Sequence, residues 1–121
     1  MTVRIKRIYH PPEKADGLRV LVDGMWPRGI KKDEAQIDLW LKDIAPSAVL
    51  RQWFGHRPER WERFQQRYRA ELSNNPAIVE LQTLLEKRRR VTLLYAARDE
   101  DHNHAVVLAD YLTMKRRHRG V

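Results

Sequence analysis

Two short runs constrain this chain more than anything else in it: VLV at 20–22 and VTLLYAA at 91–97. Each is continuously apolar, opens on β-branched residues and is too short for a buried helix, which is the pattern of a strand covered on both faces. Such strands sit in parallel sheets flanked by helices. Both runs end abruptly in polar residues. The first gives way to Asp23, Gly24, Trp26, Pro27, Arg28 and Gly29, the second to Arg98, Asp99, Glu100, Asp101, His102, Asn103 and His104.

The rest of the chain supplies the partners of those strands. Val3, Ile5 and Ile8 mark a first strand stopped by Pro11 and Pro12, and a polar loop follows at 13–17. Residues 37–44, IDLWLKDI, alternate Ile37, Leu39 and Leu41 against Asp38, Trp40 and Lys42, as a third strand would, with a short helix as the alternative. Ser47 is a good N-cap for a helix whose apolar face is Leu50, Trp53 and Phe54, and Gly55 ends it. Pro58 suits the first turn of a second helix carrying Trp61, Phe64, Tyr68 and Leu72 on one stripe, which reads as core rather than as a platform for stacking bases. Pro76 opens a third with Ile78, Leu81, Leu84 and Leu85, and Ala105, Leu108, Ala109 and Leu112 belong to a last one.

A chain of 121 residues is enough for one modest core. The expectation is a single α/β domain over 1–114, with about four mainly parallel strands, the two apolar runs adjacent or nearly so at the centre, and helices on both faces; 115–121 is a basic tail. Parallel strands release their loops at one edge, where α/β sheets bind ligands. Asp23, Arg28, Asp99 and His104 should therefore open into one cleft, with Trp26 and Tyr95 as wall.

Lys and Arg total 24 against 16 Asp and Glu, a net charge of +8 that favours anionic partners. The basic residues are dispersed apart from runs at 87–90 and 115–119. The first suits a helix C-terminus and the second a solvated chain end. Cysteine is absent, which removes disulfides, thiolate catalysis and the common zinc clusters. No apolar run approaches the roughly 20 residues needed to span a bilayer, and no basic-then-apolar leader is visible, so the chain reads as soluble and cytoplasmic, with no membrane partner.

Among the polar residues, Arg28 offers a fork of donors for a carboxylate or phosphate, and Lys42, Ser47 and the amides opening the helices after Ser47 and Asn103 add to it. Asp23, Asp99 and His104 are candidate acid/base groups, with Asp43 a further carboxylate. Structural roles compete with each: Asp23 pairing with Arg28, Asp43 or Ser47 capping one helix, Asn103 or Asp101 capping the last. Trp26 either stacks on a ligand ring or packs the loop, and His56 either reaches the cleft or ends a helix. His102 and His104 stand two apart at a loop entering a helix, where ligands need i, i+4 spacing, so we expect no metal and no cofactor.

The strings VLVDGMWPRG, LKDIAPSAVLRQWFGH with RPERWERFQQRYRAEL, and VTLLYAARDEDHNHAVVL, in that order over nearly the whole chain, resemble the YeaO-like family of small bacterial proteins. The resemblance implies a compact α/β fold and brings no established activity with it. Where relatives usually carry arginine then leucine, this chain has Gly24 and Met25, one loop cation fewer. Distant relatives place a cysteine near Tyr95 and a cysteine-histidine-arginine triplet where this chain has Asn103, His104 and Ala105, so thiol chemistry does not carry over. The reading is a cleft for a small anionic ligand, a nucleotide or phosphoester, with turnover left open. A nucleic-acid-associated basic module and a protein-interaction domain are the alternatives, and the oligomeric state is undetermined.

Overall fold

A computed structural model of the chain describes residues 2–119, with side chains for 2–114. Four strands form one sheet, β1 (Thr2–Arg7), β2 (Leu18–Leu21), β3 (Leu39–Trp40) and β4 (Arg90–Tyr95), in the order β1-β4-β2-β3. Every pairing is parallel. The two apolar runs are neighbours at the centre, with Val20 opposite Leu93 and Leu21 opposite Leu94. They lie there because their side chains on both faces are apolar and only interior positions bury both.

The faces are covered unequally. Val20, Val91 and Leu93 point into the larger core, shared with α2 (Ala48–Phe54), α3 (Trp61–Ser73), α4 (Ala77–Lys87) and α5 (His104–Arg119). On the other face, Leu21, Leu94 and Ile8 form a smaller cluster under Trp26, Ile30, Ile37 and Trp40. Further along that face the one-turn helix α1 (Lys32–Ala35) and a 3-10 turn at Lys14–Asp16 hold the buried Arg19. Its guanidinium donates to Asp16 Oδ2 at 2.6 Å and to the Gln36 and Ala35 carbonyls.

The third strand is shorter than the alternation over 37–44 predicts: β3 is two residues, and Lys42–Ile44 is a 3-10 turn. Leu41 and Ile44 are both buried in the larger core, a three-residue spacing that a strand cannot satisfy. Ile37 also leaves the alternation and joins the smaller cluster. The helices follow their sequence signals. Ser47 Oγ accepts from the Leu50 amide, and Gly55 closes α2 at φ 52. Pro58 opens a 3-10 turn leading into α3, where Phe64, Tyr68 and Leu72 are buried. Along the expected basic tail, residues 115–119 continue α5 as backbone; their side chains, and residues 120–121, lie outside the described residues. No helix among the described residues is long and apolar enough to cross a membrane.

Candidate functional site

Because β2 and β4 run parallel and side by side, their loops leave at the same edge, and Asp23 ties them together. The strand ladder ends with the Val22 amide donating to the Leu94 carbonyl at 3.1 Å. One step on, the side chain replaces the backbone: Asp23 Oδ2 accepts from the Ala96 amide at 3.0 Å. Asp23 Oδ1 stands 3.1 Å from His104 Nε2, at the start of α5, and the same nitrogen is 3.0 Å from the Val22 carbonyl. Facing two acceptors, Nε2 carries the proton. Its N–H is directed at the carbonyl, which leaves Oδ1 buried without a hydrogen bond of its own.

Above this staple lies a cleft of about 550 Å³. Of the residues singled out from sequence, Asp23, Trp26, Arg28, Asn103 and His104 line it. Trp26 donates to the Ile30 carbonyl and meets Trp40 edge-on at 5.4 Å, so it packs the loop onto the sheet as well as walling the cleft. The Tyr9 hydroxyl donates to the Arg28 carbonyl at 2.9 Å and so holds that loop down. Asn103 caps α5, its Oδ1 accepting from the Val106 amide and its Nδ2 donating to the Asp99 carbonyl. His56 reaches the cleft too, turned there by two successive left-handed residues, Gly55 and His56.

The other four expected site residues are not on this cleft. Asp99 is folded into its own loop: Oδ1 accepts from the Asp101 and His102 amides, and Oδ2 is 3.0 Å from His102 Nδ1. The Asp101 amide and the His102 ring hold this carboxyl below its usual range, which makes it a weaker base. Lys42 is exposed, its ammonium 5.7 Å from the centre of the Trp40 ring. Ser47 is spent on capping and on Glu71, whose Oε2 takes its hydroxyl at 2.6 Å. Tyr95 is buried and lines a separate, smaller pocket with Arg7, His10 and Glu100, and burial pushes its hydroxyl up from the usual range. Asp43, weighed as a carboxylate or a cap, is exposed, and its carbonyl accepts from Asn75 Nδ2. Among the described residues no three histidine, aspartate or glutamate side chains are grouped so as to hold a metal ion.

Sequence reasoning missed Arg51, on α2, which lines the cleft beside Gly24, together with the ring walls Tyr9, Phe54 and Phe64. Periodicity identifies Phe54 and Phe64 as core but cannot say that both also line a cleft. Arg51 carries no such signal, since it looks like any exposed helical arginine. The side chains of Arg28 and Arg51 have no hydrogen bond or ion pair to any other described residue. The cleft thus carries two free guanidinium groups, while its carboxylate and its α5 histidine stand 3.1 Å apart and are each hydrogen-bonded to backbone.

Comparison with known proteins agrees with this architecture's sequence signature. The family model described as the inactive DUF488-N3 subclade matches residues 2–120. The chain is 46% identical over 110 residues to the uncharacterized protein Rv3073c of Mycobacterium tuberculosis, covering 91% of this chain and 92% of that one. It is 42% identical over 112 residues to the uncharacterized protein YeaO of Escherichia coli, covering 93% and 97%. No solved structure matches it.

Proposed function

Since the chain belongs to the YeaO-like family, in the subclade described as inactive DUF488-N3, we propose that it is a cytoplasmic protein that binds a small anionic ligand, a nucleotide or other phosphoester, in this cleft without converting it. The observation that carries the reading is the pair of unpartnered arginines, Arg28 and Arg51, lining a cleft whose acid/base groups are already committed. A general base has to be within reach of the proton it takes. Asp23 spends Oδ2 on the Ala96 amide and faces His104 with Oδ1, and Asp99 lies off the cleft. What remains available is donors, and a guanidinium fork matches phosphate or carboxylate oxygens. The volume suits a small ligand: the cleft falls within the roughly 300 to 1,000 Å³ of small-molecule sites, and Trp26 borders it.

The test is calorimetric titration with AMP, GMP and inorganic phosphate, of the wild type and of Arg28→Ala. Saturable binding at one site, weakened roughly tenfold or more in the variant at unchanged melting temperature, is the expected result. Binding that ignores Arg28, or release of altered nucleotide during incubation, contradicts the proposal.

A further inference from the structure

Gly24 is the residue directly after Asp23, and its backbone is outside the left-handed region, so conformational freedom does not explain a glycine there. Space does. A Cβ at position 24 would stand 3.3 Å from Arg51 Nη1, 3.7 Å from Arg51 Cζ and 3.5 Å from Ala45 Cβ. The room that a side chain on the β2 loop would use is filled instead by a guanidinium from α2. The Arg51 backbone is well anchored, because Ser47 caps α2, the Gly55 amide donates to the Arg51 carbonyl at 3.0 Å, and Leu50 and Phe54 of the same helix are buried. Its side-chain donors nevertheless have no acceptor among the described residues. An arginine beside a glycine and an alanine, with its donors unspent at the edge of a cleft, has those donors available to an incoming acceptor.

We propose that Arg51 is a ligand-contacting residue that closes on phosphoryl oxygens from the α2 side of the cleft, opposite Arg28 on the β2 loop, and that Gly24 is the positioning residue that admits it. This rests on the anion-binding reading above and deepens it, because two guanidinium groups on separate walls select a terminal phosphoryl group, which exposes oxygens to both. Gly24 then sets specificity: a large side chain at 24 competes with the Arg51 guanidinium for the same space.

The experiment titrates inorganic phosphate and AMP into the full chain as wild type, Arg51→Ala, Gly24→Leu and the double variant, following affinity by calorimetry and the Arg51 Nε–H signal by NMR. The expected result is a loss on the order of tenfold or more in Arg51→Ala. Gly24→Leu should show a similar loss, the double variant should be no weaker than either, and the Arg51 Nε–H signal should move on phosphate addition in the wild type alone. Arg51 is exposed, so its alanine variant should melt as the wild type does. If Arg28→Ala loses binding while Arg51→Ala keeps it, or if the losses of Gly24→Leu and Arg51→Ala add, this inference fails and the proposed function stands. If the wild type binds neither probe, both fail.

Discussion

Asp16 is 1% exposed and still ionised. Burial alone would raise its carboxyl. The Glu13 amide at 3.0 Å, Lys6 Nζ at 3.2 Å and Arg19 Nη1 at 2.6 Å outweigh burial and hold it below its ordinary value of 3.8. In the unfolded chain the group returns to that ordinary value, so the native state binds its proton less readily. The stabilisation is therefore complete above about pH 5 and drains away as pH falls through the lowered native value. NMR titration of the Asp16 carboxyl should give a midpoint below 3.8, with urea stability falling as the pH drops from about 5 towards that midpoint and levelling off below it. A midpoint above about 4, the ordinary aspartate value, would contradict the pairing. At this scale the sequence was a partial guide to the site. Asp23, Arg28 and His104 are where the two loops place them, whereas Asp99 turns back onto its own loop, where three donors reach its oxygens.

Among the elements, α3 was the most legible, because one period runs uninterrupted from Trp61 to Leu72. Phe64 stacks on Phe54 at 4.4 Å and lies 5.9 Å from the Tyr68 ring, and the Tyr68 hydroxyl donates to the Ile44 carbonyl at 2.7 Å. Phe64→Ala would empty the middle of that stack and should cost roughly 3 to 5 kcal/mol in urea unfolding. A wild-type midpoint would show that the stripe does not carry the packing. The 37–44 stretch was the least legible. Its alternation is genuine over the two residues that pair with β2, but burial of Leu41 and Ile44 overrides it one turn later.

For the whole molecule, the charge of +8 keeps a nucleic-acid partner in view, and salt dependence separates it from a cleft. A protein tracking a phosphate backbone loses affinity with a log-log slope of about −0.9 per phosphate neutralised, so several contacts give a steep line. Two guanidinium groups in a cleft should give a shallow one. We expect duplex DNA binding to vanish between about 50 and 200 mM salt, a range over which backbone contacts weaken steeply, while nucleotide affinity changes little. Saturable duplex binding at the higher salt would overturn the small-ligand reading. Nor does the aromatic surface favour stacking on bases: the Trp53 ring is already faced by the guanidinium groups of Arg60 and Arg67, and Phe64 and Tyr68 are core.

Short-range pattern by itself determined the two central strands, the edge at which their loops emerge, the helix stripes and the Ser47 cap, because each depends on residues within a turn or a strand of one another. Family membership was legible for the same reason, in three local strings. Only the tertiary structure decided what the site residues touch. His104 meets a carbonyl 82 positions away, and Asp23 takes an amide 73 positions away. The arrival of Arg51 over Gly24 depends on how α2 packs against the end of the sheet. No period encodes such distances; they follow from where the buried faces of α2, α3 and α5 come to rest on one sheet.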